Sequence, residues 1–205
     1  MGETKSAETN KFILPPVPNL REPPPFCNPL FGFDERSPLA TMILTMARTT
    51  TNAKGIAGYF IWKAQREGEA ITNKKLQKLL YYAQAWSLVL HDKRLFGEKI
   101  EAWVHGPAVR DVYFEFKKFG FGPITKNISA TEIAGISADT KKFLDQVWSV
   151  YGKRDAAYLE YLSHSEMPWQ KAREGLEPHI GSEKEISLSD MKEFYSSKLK
   201  KSKKG

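Results

Sequence analysis

The sequence predicts a mainly α-helical fold: a single domain of about six to seven helices with a small β-hairpin, behind a disordered proline-rich N-terminal arm. Three observations carry this. Apolar residues recur at helical spacing in one segment after another between Asn52 and Trp169. One of those segments is apolar on every face and must be surrounded by the others. A single short stretch, Ile100 to Val104, alternates with the period of a strand.

Residues 1–48 differ in composition from the rest. They hold eight of the twelve prolines, from Pro15 to Pro38. Proline lacks an N–H and disfavours helix in the residue before it, so this arm is expected to be extended or disordered. A second reading places the start at Met42 or Met46, since MARTTTNAKGIAGYF would make a natural beginning for the domain. The opening MGETKS fits the short myristoylation pattern, with Gly2 and Ser6, which chance often produces. The first apolar run, Phe12 to Leu14, is too short for a secretory leader.

The helical domain is expected over residues 49–197. Helix one runs from about Asn52 to Glu67, with Ile56, Tyr59 and Phe60 inward and Gly68 as its stop. The central helix starts at Thr72, a hydroxyl N-cap, and ends near His91–Asp92. Leu76, Leu79, Leu80, Ala83, Trp86 and Leu90 form one stripe, and Tyr81, Tyr82, Ala85, Leu88 and Val89 fill the other faces. It is too short and interrupted to span a bilayer. Lys74, Lys75 and Lys78 near its start offer a site for phosphate or an acidic partner, against the ordinary reading of solvated lysines.

Next comes the hairpin. Leu95–Phe96 leads through Gly97-Glu98-Lys99 into Ile100–Val104, with Glu101 and His105 exposed. Gly106-Pro107 is read as the start of helix three, where proline's missing N–H costs nothing. Val109, Val112, Tyr113 and Phe116 give that helix its apolar stripe, and Gly120, Gly122 and Pro123 end it. Residues 124–136 read as a loop. Ser137 caps helix four, and Gly152 stops it. Helix five spans about Asp155 to Ser163. Ser165 is read as the cap of helix six, with Pro168 in its first turn and Gly175 beyond its end. A last helix starts at Ser187, with Asp190 as capping-box partner.

The net charge of +7 is mostly a tail. Residues 198–205, KLKKSKKG, carry five lysines and no acid, which leaves +2 on the other 197 residues. This tail is expected to be disordered, and the body shows no excess of positive charge for a phosphate-binding face, so a nucleic-acid partner is not expected. One cysteine, Cys27, allows no internal disulfide and fits a cytoplasmic protein. The four histidines lack paired ligand spacing, so no metal is expected. No G-x-x-x-x-G-K-[ST] loop and no G-x-S-x-G elbow occur, so neither a nucleotide cofactor nor serine hydrolase chemistry is indicated. His164-Ser165-Glu166 alone makes no triad, and His164 is expected to hydrogen-bond in the core, with Glu101 or a tyrosine.

The blocks Leu76-Gln77-Lys78-Leu79-Leu80-Tyr81-Tyr82-Ala83-Gln84, Phe96, Glu101-Ala102-Trp103, Gly106-Pro107-Ala108-Val109 with Tyr113, Leu162-Ser163-His164-Ser165 and Pro168-Trp169 occur in this order and spacing. In them the chain resembles the Panacea-domain family of SocA-like antitoxins, long known as phage-associated proteins. The resemblance covers about residues 52–175, with Leu76, Lys78, Leu79, Tyr81 and Tyr82 in its leading motif. Ala108 departs from the family's common valine, and Ser163 from the threonine that commonly precedes the histidine. The resemblance implies a non-enzymatic antitoxin that neutralises a cognate toxin by direct binding, with delivery of the toxin to an AAA+ protease as a further mode.

Glu101, Trp103, His105, Gly106, Pro107, His164 and Trp169 are the candidate partner-binding residues. The strand-to-helix corner among them is either a recognition edge or a packed turn with Trp103 beneath it, and burial is the ordinary fate of an aromatic side chain. Two rival readings remain at this point. A DNA-binding regulator of a phage or mobile element would use the lysine tail. An enzyme would need His164, Glu101 and a tyrosine to converge in a pocket.

Overall fold

The computed structural model describes residues 51–202, with side chains as far as Leu199. The arm at 1–48 therefore lies outside the described residues.

Helix α1 (Ala53–Glu67) is capped by the Asn52 side chain, which accepts from the Gly55 N–H, and it stops at Gly68 in the left-handed region at φ 68°. Helix α2 (Asn73–Leu90) is capped by Thr72, which accepts from the Lys75 N–H. It is buried on all faces from Lys75 to Leu88, and α1, the hairpin and the helices Ala138–Tyr151, Ala156–His164 and Leu188–Ser202 all pack against it. Burying the polar groups of α2 requires partners for them. Gln84 supplies one case: its amide donates to the Phe96 carbonyl and its oxygen accepts from the Leu95 and Phe96 N–H groups.

That clamp explains a correction. Leu95–Phe96 is not a strand, because a side chain of α2 takes its backbone groups. The hairpin is instead β1 (Glu101–Trp103) paired antiparallel with β2 (Gly106–Ala108), in the register Glu101 to Ala108 and Trp103 to Gly106. Gly106 follows the two-residue turn at φ 91°. Gly106-Pro107 therefore belongs to a strand and does not start a helix. The outer edge of β1 is covered by residues 184–186 through Ala102 N–H to Lys184 O and Ile186 N–H to Ile100 O.

Helix α3 (Arg110–Phe116) runs into a 3-10 turn, Lys117–Phe119. The expected loop at 124–136 is present, without helix or strand. Helix α4 (Ala138–Tyr151) is capped by Ser137, and α5 (Ala156–His164) by Asp155. Helix α6 (Met167–Ala172) has no side-chain cap. Ser165 closes α5 instead, its hydroxyl donating to the Leu162 carbonyl. Helix α7 (Leu188–Ser202) begins with the Asp190 N–H donating to Ser187 Oγ. It continues past Lys198, where the disordered tail was expected to begin.

Along one side of α2 lies an aromatic cluster. Tyr82 and Tyr151 stack at 4.0 Å, and Tyr195 of α7 meets Tyr81, Tyr82 and Trp86 edge-on. The Glu166 carboxylate is buried beside it, 2.5 Å from Tyr195 Oη and 3.1 Å from Lys198 Nζ. No helix among the described residues is long and apolar enough to cross a membrane, and no group of potential metal ligands occurs among them.

Candidate partner-binding groove

The hairpin, the first two turns of α2, and α3 with its 3-10 turn enclose an open groove of about 1070 Å³. Its walls carry aromatic side chains. Trp103 is half-buried and meets Tyr113 edge-on at 4.8 Å. Phe114 and Phe121, at the groove, are 52% and 93% exposed. Water must be held against these rings, which is the ordinary mark of a contact surface.

Three of the seven candidate residues, Trp103, His105 and Gly106, line this groove. His105 is exposed at its rim, with Nδ1 2.9 Å from Glu160 Oε1. Glu160 also accepts from Lys74 Nζ at 2.7 Å. Burial alone would raise the Glu160 carboxyl, but the hydrogen bonds from Lys74 and His105 outweigh it and hold the group below the usual carboxylate range. Trp103 Nε1 donates to Glu101 Oε2 at 2.6 Å. Gly106 and Pro107 are buried in β2.

Beneath the hairpin sits Lys78, only 2% exposed, with Nζ donating to the Pro107 carbonyl at 3.0 Å. Burial drives this ammonium down to about 7, with Lys74 adding to the effect and Glu160 opposing it. A Cβ on Gly106 would stand 2.7 Å from Lys78 Nζ and 3.0 Å from Ser163 Oγ. Glycine at 106 therefore answers both a positive φ and a close approach.

The remaining candidates separate from the groove. Trp169 supports it from behind, its Nε1 donating to the Trp103 carbonyl at 3.1 Å. His164 stacks on Trp169 at 4.0 Å, and its buried Nε2 has no hydrogen-bond partner among the described residues. Its expected bond to Glu101 or a tyrosine is therefore corrected. Burial lowers its imidazole. Glu101 is 9% exposed, not exposed as expected, because its outer edge is covered by residues 184–186; it takes Trp103 and faces Arg110 at 3.8 Å. No hydrogen bond joins His164 and Glu101 among the described residues.

The model of the family described as antitoxin SocA-like, Panacea domain, matches residues 76–170. That span contains most of α2, the hairpin, α3 and Trp169, the parts that build and brace the groove. Over that span the chain is similar to the SocA-like Panacea family. It is also similar to Antitoxin SocA of Caulobacter vibrioides (strain NA1000 / CB15N), at 29% identity over 150 residues, covering 67% of this chain and 79% of that protein. No solved structure matches.

Within this Panacea domain the leading motif is a core element. Leu76, Leu79, Tyr81 and Tyr82 are wholly buried. Lys75 and Lys78, expected as solvated, are 5% and 2% exposed. Three bracing residues of the domain escaped the sequence reading. Gln77 accepts from the Val109 N–H at 2.8 Å. Asn73 donates to the Tyr113 carbonyl at 3.0 Å. Arg173 is 5% exposed and donates to the Ala102 carbonyl and to those of Glu177, Pro178 and Ile180.

Proposed function

We propose that this chain is an antitoxin that neutralises a cognate toxin by direct binding, and that the groove between the hairpin, α2 and α3 is the face it uses. The observation that carries the reading is the Panacea domain itself, folded so that its own motif blocks frame an open groove with exposed aromatic side chains. Exposed aromatics beside a rigid wall suit an interface anchor. The wall is rigid because Gln77, Lys78, Trp169 and Arg173 each tie the hairpin region to a helix or loop. A preorganised face loses little conformational freedom on binding.

The chain acts without catalysis in this account. His164 is stacked on Trp169 and Glu101 is held by Trp103, so neither is free to act as a base on a bound substrate. Passing the bound toxin to an AAA+ protease would be a second stage, distinguished by a shortened half-life of the toxin.

The test is growth of cells that express the product of the neighbouring gene, alone and with this chain. Arrest by the neighbour alone and rescue by the pair is the expected result. Rescue in which the two proteins stay unassociated, and which is lost when Lys200, Lys201, Lys203 and Lys204 are changed to Gln, would favour a DNA-bound regulator instead.

A further inference from the structure

Lys78 is a buried amine without a counter-ion. It lines the groove, yet none of the ion pairs among the described residues includes it. Its three N–H donors meet one acceptor, the Pro107 carbonyl. The nearby Glu160 carboxylate is already committed to Lys74 and His105. An ammonium kept out of water with one hydrogen bond is costly, and an apolar side chain of similar length would fill the space more favourably.

The surroundings of Lys78 add to its charge. Lys74, Arg110 and Lys117 also line the groove, against Glu183 as the only acid in the lining. Arg110 pairs with Glu183, and Lys117 Nζ lies over the Phe114 ring at 5.4 Å. The first turn of α2 presents its positive end to the same space through Thr72, Asn73 and Lys74. The aromatic walls face this charge directly.

We infer that the groove receives an apolar segment of the toxin carrying an aspartate or glutamate, and that this carboxylate completes the site of Lys78. The inference rests on the antitoxin reading and names the chemistry of its partner. The carboxylate supplies the missing counter-ion and acceptors, and the apolar part of the segment covers Phe114 and Phe121. Burying a paired charge at the centre of an apolar contact gives selectivity, because a partner without the carboxylate leaves Lys78 unpaired.

The experiment measures the affinity of the full chain for the neighbouring gene's product, with Lys78→Met in the chain and each Asp and Glu of the partner changed singly to its amide. Lys78→Met is expected to keep or raise Tm and to weaken binding at least tenfold. One partner amide substitution is expected to give a similar loss, and the two together no further loss. Phe121→Ser, at a side chain exposed to solvent, is expected to weaken binding at least fivefold and keeps the test standing if Lys78→Met does not fold. Normal binding by a folded Lys78→Met chain would overturn the inference while leaving the antitoxin reading intact. So would a partner in which no single carboxylate matters. A wild-type chain that binds nothing would overturn both.

Discussion

Lys78 Nζ donates to the carbonyl oxygen of Pro107 at 3.0 Å, beside Gly106, where an added Cβ would stand 2.7 Å from the same nitrogen. A buried amine on the central helix and a strand of the hairpin are thereby fitted to each other. The contact joins the floor of the groove to the hairpin.

The first prediction concerns pH. The amine of Lys78 is brought down to about 7 in the folded chain from 10.5. The unfolded chain therefore binds more protons between these values, and stability rises with pH across that window. Below about pH 7 both states are charged and the full cost of burial is present. The slope is at most about 1.4 kcal/mol per pH unit. Urea midpoints from pH 7 to 10 are expected to rise in the wild-type chain more steeply than in Lys78→Met.

Gly106→Ala is expected to destabilise the chain by about 1–3 kcal/mol, through the positive φ and the forced displacement of Lys78 or Ser163. Chemical denaturation measures the loss. Gly97→Ala, where an added Cβ meets nothing within 4 Å, is the control and is expected to stay within about 0.5 kcal/mol.

Tyr82 Oη is buried without a hydrogen-bond partner among the described residues. Removing an unpaired buried hydroxyl relieves a desolvation cost and leaves the ring packing in place. Tyr82→Phe is therefore expected to leave Tm unchanged or raised. A drop equivalent to more than about 1 kcal/mol would show that the hydroxyl is bonded.

Burial raises the Glu166 carboxyl, and Lys198 and Tyr195 act against that rise. Because the folded state holds this proton more tightly than the unfolded chain, stability falls as pH rises from the ordinary carboxylate range toward the folded value. Lys198→Met removes a counterweight, so the fall should deepen, by about 1–2 kcal/mol at neutral pH. Glu166→Gln in the same chain is expected to restore most of it. Urea titrations at pH 5 and pH 8 test both.

Much of this architecture was readable from residue patterns. The caps Asn52, Thr72, Ser137, Asp155 and Ser187 stand where a short polar side chain precedes an apolar run, because that chemistry is local. The central place of α2 followed from its lack of a polar face. The hairpin pairing did not follow, since Leu95–Phe96 and Gly106–Ala108 are both short and apolar. What separates them is a side chain eleven and twelve residues away, Gln84. Ser165 failed as a cap because the α5 carbonyl of Leu162 took its hydroxyl first.

The candidate site was legible at Trp103, His105 and Gly106, where a turn between strand residues exposes the chain. It was not legible at Lys78 or Arg173, whose roles depend on carbonyls distant in sequence, Pro107 for one and Ala102 for the other. A lysine near a helix start reads as solvated until the element that covers it is known.

The most direct test of the central claim is co-purification of this chain with the neighbouring gene's product from cells in which growth has been rescued. Direct neutralisation predicts a stable complex that survives gel filtration, with the groove residues Trp103, Phe114 and Phe121 protected in it. Rescue with the two proteins eluting apart would contradict it.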